Sequence, residues 1–207
     1  MSDGTGPIRV LLAEDQSMVR GALAALLAQH GDIAVIGEVG DGTGVVPATR
    51  AHQPDIVLLD IEMPGMDGIE AARQLRAAGL PVRVAILTTF GRPGYLHAAM
   101  AAGAQGFLLK DAPAAELAVA IRRIAGGEPV IDPTLAALAL TEGNTPLTTR
   151  ESEVLTAARG HGTVAEIAQR LHLSSGTVRN HLSAAIQKLG ARNRAEAVQH
   201  AERKGWI

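Results

Sequence analysis

Asp60 ends an apolar run, Ile56 to Asp60, and is followed directly by a Met63-Pro64-Gly65 turn that stops any strand. Other reactive residue types recur at comparable points. Glu14 and Asp15 follow the apolar run Ile8–Ala13, Thr88 closes Val82–Thr88, and Lys110 follows Phe107–Leu109. Three carboxylates gathered at one edge repel one another unless a cation sits among them, and hard oxygen donors with room for water suit Mg²⁺. The expected ligands are Asp15, Asp60 and the backbone carbonyl of Glu62, with Glu14 beside them. With phosphate charge neutralised by the metal, the ionised Asp60 can attack a phosphoryl group and form an acyl phosphate. Lys110 supplies a point charge for the phosphoryl oxygens, and Thr88 supplies a hydroxyl donor.

These residues meet only if strands carry them to one edge. Ile8–Ala13, Ile33–Val39, Ile56–Asp60, Val82–Thr88 and Phe107–Leu109 read as buried strands. Helices are expected between them. One starts at Ser17, with Met18, Leu23, Leu26 and Leu27 at helical spacing. The others run from near Pro47, over 66–77, from the Gly91-Pro93-Gly94 loop to Ala102, and over 113–125. The last is expected to turn Leu117, Val119, Ala120, Ile121 and Ile124 inward. Five strands, each followed by a helix, imply a parallel sheet covered on both faces, because parallel neighbours need a crossover. In an open α/β sheet the carboxyl edge of the strands is where ligands collect. The glycine-rich run 40–44 reads as an ordinary turn, since Pro47 stands where a nucleotide-binding fingerprint needs a third glycine or alanine. Polar residues at strand ends are ordinary one at a time; four of five strand ends carrying acid, acid, threonine and lysine in this order are not.

The chain has 207 residues, 47% hydrophobic and 2% aromatic, which suits one or two small domains with aliphatic cores. It contains no cysteine, so disulfides and thiolate metal sites are excluded. No charged start leads into an apolar run and no stretch of eighteen apolar residues occurs, so the reading is a soluble, cytoplasmic protein with no membrane partner. The net charge of −2 is unevenly spread: residues 146–207 hold 9 Lys/Arg and 5 Asp/Glu, +4, which leaves −6 on residues 1–145. An acidic front and a basic back suggest different partners.

Residues 127–146 are rich in glycine, proline and threonine and read as a linker, with Asp132-Pro133 capping a short helix through Leu140. Four helices are expected beyond it: one capped at Thr148 or Thr149, one opening at Thr163, one from Ser175 to about Leu189, and one capped at Asn193. The second and third, joined by His172-Leu173-Ser174, have the form of a helix-turn-helix whose third helix enters the major groove. Thr177, Arg179, Asn180, Ser183, Gln187 and Lys188 are its exposed polar candidates. Arg179 and Asn180 suit guanine and adenine edges, while Lys188 and Arg194 suit phosphates. His181 either touches DNA or locks the recognition helix. The seven histidines include no i, i+4 pair, so surface or packing roles are expected of them rather than metal binding.

Residues 8 to about 126 resemble a two-component receiver domain on Glu14-Asp15, Asp60, Met63-Pro64-Gly65, Thr88 and Lys110. The resemblance implies a flavodoxin-like (CheY-like) α/β fold with a five-stranded parallel sheet of order 2-1-3-4-5. It implies a sensor histidine kinase as phosphodonor, Asp60 as acceptor, and Phe107 as the aromatic that swings inward on activation. Leu147-Thr148-x-Arg150-Glu151-x-Glu153-Val154-Leu155, Glu166-Ile167-Ala168, Leu173-Ser174-x-x-Thr177-Val178-Arg179-x-His181 and Lys188-Leu189-Gly190 resemble the LuxR-type, or NarL/FixJ, helix-turn-helix domain. That domain is all-α with four helices. The run Ser175–Asn180 and the Lys204-Gly205-Trp206 ending are most similar to the subgroup of the membrane-lipid desaturase regulator. Val164 stands where that family usually has asparagine. The domains are thus a receiver over 1–126, a linker over 127–146 and a DNA-binding domain over 147–207.

The function implied is phosphorylation of Asp60, homodimerisation and binding of double-stranded operator DNA to regulate transcription, with RNA polymerase as a further candidate partner and no enzymatic turnover beyond slow self-dephosphorylation. Two alternatives stand beside it. One is a helix-turn-helix regulator that works without phosphate. The other is a haloacid-dehalogenase-type phosphatase, which also uses a strand-end aspartate, Mg²⁺, a threonine and a lysine; those enzymes resemble one another in carrying aspartate where this chain has Glu62, and no cap domain is evident here.

Overall fold

The structure is a computed structural model that describes residues 6–89, 92–142, 145–160 and 162–207. Gly91, expected in the loop after the fourth strand, and Gly143 and Asn144 of the expected linker lie outside the described residues. The chain forms two compact units with the main break at Ala137/Leu138.

In the first unit, strands β1 (Ile8–Ala13), β2 (Ile33–Val39), β3 (Ile56–Asp60), β4 (Arg83–Thr88), β5 (Gly106–Leu109) and β6 (Val130–Ile131) form one parallel sheet. Its order is β2-β1-β3-β4-β5-β6. Five helices connect the strands up to β6: α1 (Ser17–Leu27), α2 (Val45–His52), α3 (Gly68–Ala77), α4 (Pro93–Ala102) and α5 (Ala114–Ala125). One face of the sheet buries Val10, Leu12, Ile56, Leu58, Ala85 and Leu87 against α1 and α5. Alternate residues such as Leu11, Val57, Leu59 and Ile86 point to the other face and are also fully buried, so each strand reads as a continuous apolar run.

The sheet has six strands, not the five expected. β6 follows a turn at Gly127 (φ +91°) and pairs Gly106 with Val130 and Phe107 with Ile131. Two residues are too few to show a period, so the pattern that announced the other strands was absent here. The pairing covers what would otherwise be an open edge at β5. The first unit therefore continues past 126, and the expected tether is shortened by β6 and by α6 (Pro133–Glu142), whose start Asp132 caps by accepting from the Thr134 and Leu135 amides.

One inward assignment is corrected, and one residue of the α1 spacing proves exposed. Val119 is 51% exposed, because the apolar stripe of α5 runs through Leu117, Ala120, Ile121 and Ile124 and leaves residue 119 about a third of a turn off it. Met18 is 86% exposed, while Leu23 and Leu27 carry the packing of α1.

In the second unit, α7 (Thr149–Ala157), α8 (Val164–Leu171), α9 (Ser175–Lys188) and α10 (Arg194–Lys204) enclose Val154, Leu155, Ile167, Val178, Leu182, Ala185 and Ala197. Thr148 with Glu151, and Thr163 with Glu166, form reciprocal capping boxes. His172 takes the left-handed conformation (φ 54°) that ends α8, and Ser174 caps α9 by accepting from Thr177 N. Asn193 caps α10, but Glu196 reaches back to the amide of Arg192 instead of Asn193, so this box is not reciprocal.

Candidate phosphoacceptor pocket and DNA-reading helix

The expected acids converge. Carboxylate oxygens of Glu14, Asp15 and Asp60 lie within 4.8 Å of one another at the carboxyl ends of β1 and β3. Lys110 follows β5, its backbone amide donating to Thr88 O at 2.9 Å, which brings the fourth and fifth strand ends to the same edge. Its ammonium lies 2.8 Å from Asp60 Oδ1 and 2.5 Å from Glu14 Oε2. The Lys110 side chain is 7% exposed and that of Glu14 1%, whereas Asp15 is open to solvent. Burial alone would push the Lys110 ammonium toward deprotonation; the carboxylates of Asp60 and Glu14 outweigh it and raise the lysine above its usual range.

Glu14 is the least satisfied member. Oε1 accepts from Gln16 N at 3.2 Å. Oε2 is buried and lacks a well-directed hydrogen-bond donor even though the Lys110 ammonium is close enough for an ion pair. A buried carboxylate oxygen left short of donors beside two further carboxylates is the donor set a hard divalent cation takes, so the residues fit Mg²⁺.

Close backbone packing fixes the loop between β3 and α3. A Cβ at Gly68 would run into the Asp60 carbonyl oxygen, so only glycine lets the first turn of α3 seat against the acceptor strand. Asp67 caps α3 by accepting from Glu70 N at 2.8 Å. On the far side, Gly42 packs against the Met66 carbonyl, where a Cβ would also clash. The glycine-rich run 40–44 is thus a turn, as expected, with a short 3₁₀ segment capped by Asp41 and a packing role against this loop. The Glu62 side chain is exposed, and Phe107 is fully buried on β5.

On α9, Arg179, Asn180 and Ser183 are exposed, Thr177 and His181 half-buried. Thr177 also shares its hydroxyl with the Ser174 cap at 2.8 Å. The two residues expected to meet phosphates have partners within the domain. Lys188 Nζ lies 3.0 and 2.7 Å from the two oxygens of buried Glu151, and Arg194 donates to Gly162 O at 2.7 Å. The Lys188 hydrogen bond and then the Thr148 amide hold the Glu151 carboxyl below its usual range. Sequence reading missed the Glu151–Lys188 pair because its members lie 37 residues apart. It also missed Gly68, for which there was a signal: glycine is a poor helix former and here opens one.

A phosphoacceptor-type pocket on a parallel sheet, followed in the chain by a helix-turn-helix, defines a two-part signalling regulator. Residues 10–122 match the response regulator receiver domain, and residues 145–201 match the bacterial regulatory proteins of the luxR family. The chain belongs to the response regulators that join a receiver to a LuxR-type DNA-binding domain and act as transcriptional regulators. It is 45% identical over 200 residues to the transcriptional regulatory protein DesR of Bacillus subtilis, covering 97% of this chain and 99% of that one. It is 46% identical over 200 residues to the uncharacterized transcriptional regulatory protein YvfU of the same organism, covering 97% and 100%. Among solved structures it is similar to the response regulator ChrA of a heme-sensing two-component system, at 36% identity and a TM-score of 0.59, covering 98% of this chain and 100% of that one. Among the described residues, no helix is long and apolar enough to cross a membrane.

Proposed function

We propose that Asp60 takes a phosphoryl group from the phosphohistidine of a sensor histidine kinase, that the phosphorylated chain dimerises, and that the dimer binds operator DNA in the cytoplasm. The observation that carries this reading is the Lys110 ammonium held between the carboxylates of Asp60 and Glu14 at adjoining strand ends. In the transfer an Asp60 oxygen forms the new O–P bond as the donor's P–N bond breaks, and the departing imidazole takes up a proton. Lys110 exchanges its contact with Asp60 for the phosphoryl oxygens, and Thr88 donates its hydroxyl to them. Asp15, Asp60 and the Glu62 carbonyl, with Glu14 beside them, would hold Mg²⁺, which when bound offsets negative charge on the phosphoryl oxygens.

The phosphoryl group carries a charge of roughly −1.5 to −2 where the Asp60 carboxylate carried −1, at a site where Lys110 already balances two acids. Thr88 and Lys110 move toward it, Phe107 repacks, and the surface made by α4, β5 and α5 changes to favour a receiver dimer. Two recognition helices then address a two-fold operator with half-sites about one helical turn apart. Joining two weak half-site contacts raises apparent affinity without new base contacts. RNA polymerase is the partner through which binding would alter transcription. The group is stored rather than turned over, which separates this reading from a phosphatase.

The test uses a promoter fragment selected from genomic DNA by the phosphorylated wild type. Asp60→Asn, treated with the same phosphodonor at the same salt, is expected to bind that fragment as weakly as unphosphorylated protein. Binding as tight as that of the phosphorylated wild type would refute the switch.

A further inference from the structure

Both acids after β1 sit on a loop that has no ordinary helix cap. Gln16 occupies the position before α1, and its side chain makes no capping bond. The loop is instead tied by one backbone bond to β2 and by one side chain. Glu14 N donates to Val39 O at 3.1 Å. The carbonyls of Glu14 and Asp15 precede the first intrahelical bond of α1, which runs from Arg20 N to Gln16 O. Both carbonyls are taken by one side chain: Arg20 Nη1 donates to Glu14 O at 2.5 Å and, more weakly, to Asp15 O at 3.5 Å. The same guanidinium places Nε 3.3 Å from Glu38 Oε2 on β2, with the Arg20 side chain 21% exposed. One planar fork thus links the acid loop to the neighbouring strand.

We propose that Arg20 is a positioning residue for the acids of the phosphoacceptor pocket, with Glu38 as its anchor. The inference deepens the proposed function and rests on its reading of Glu14, Asp15 and Asp60 as a Mg²⁺ site. Arg20 fixes the carbonyls of the residues whose carboxylates face the pocket, so the two side chains leave a backbone that cannot rotate. Lysine keeps the charge but cannot reach the Glu14 carbonyl and Glu38 with one rigid group. Groups that orient metal ligands from behind change affinity by about 10- to 100-fold when removed.

The two roles Arg20 could have predict opposite signs. A cation near a divalent site repels it, so if charge were all that mattered, Arg20→Gln would bind Mg²⁺ more tightly than wild type. If positioning matters, Arg20→Gln binds it more weakly.

The experiment is calorimetric titration of the full chain with Mg²⁺ for wild type, Arg20→Gln, Arg20→Lys and Glu38→Gln, each beside its metal-free melting curve. The expected result is a dissociation constant raised about tenfold in Arg20→Gln, with partial rescue in Arg20→Lys and a smaller loss in Glu38→Gln. Glu38 is half-exposed, so that variant reports even if Arg20→Gln folds poorly. Unchanged or tighter binding in the folded variants would overturn the positioning role. Failure of wild type itself to bind Mg²⁺ would overturn the pocket reading and, with it, this inference.

Discussion

Lys110 lies nearer to Glu14 than to the acceptor: Nζ is 2.5 Å from Glu14 Oε2 and 2.8 Å from Asp60 Oδ1. Without phosphate or metal, one ammonium holds two buried carboxylates together. Removing it leaves both charges with no counter-ion. Lys110→Met is expected to lower the stability of the metal-free protein by about 3 kcal/mol, read from urea unfolding. Mg²⁺ should restore more stability to this variant than it adds to wild type. A variant as stable as wild type without metal would mean the lysine does not offset the acids.

Gly68 is expected to tolerate no side chain. In Gly68→Ala the new Cβ meets the Asp60 carbonyl oxygen, which is backbone and cannot swing aside. The substitution should cost ~1–3 kcal/mol. It should also slow phosphorylation of the protein that remains folded, because relief of the clash moves Asp60. Gly21→Ala on α1, where a Cβ meets nothing within 4 Å, is the control: it should raise stability by about 0.5–1 kcal/mol and leave phosphorylation unchanged.

The Glu151–Lys188 pair gives the DNA-binding domain a defined acid sensitivity. Glu151 titrates below its usual value of 4.5 in the folded protein, with the Lys188 hydrogen bond as the largest cause. A folded value below the unfolded one means the stabilisation is complete above about pH 4.5 and is lost as pH falls through the folded value. Glu151→Gln should therefore be less stable than wild type at pH 7 and show a flatter loss of stability below pH 4.5, followed by far-ultraviolet circular dichroism. Parallel acid-unfolding curves for the two proteins would remove Glu151 from the account.

Lys188 and Arg179 should separate on DNA. Arg179→Ala is expected to weaken binding by about 1–3 kcal/mol at one base position and little elsewhere. An equal loss on every sequence would make Arg179 a phosphate contact. Lys188→Ala should destabilise the domain but leave the salt dependence of binding per folded molecule unchanged, because its ammonium is held by Glu151. A salt slope lowered by about one would place Lys188 on a phosphate.

These expectations follow how far single residues could be read from the chain. Asp60, Thr88 and Lys110 were legible because each ends an apolar run, and strand ends in a parallel sheet share one edge. Capping at Thr163, Ser174 and Asn193 was legible because its bonds are local, and the first cap was legible to within Thr148 or Thr149. β6 was not, since two residues show no period, nor was the exposure of Val119, since an apolar side chain does not by itself say which side of a helix it lies on. Lys188 and Arg20 mark the deeper limit. Their partners lie 37 residues away at Glu151 and 18 residues away on β2, and a charge in a sequence does not say which contact it makes.

Storage of a phosphoryl group on Asp60 is measured by weighing the intact protein after exposure to a small acyl-phosphate donor and Mg²⁺. One added phosphoryl group, slowly lost, is expected on wild type, and none on Asp60→Asn. An equal gain on both proteins, or rapid turnover of the donor with no gain on wild type, would contradict it.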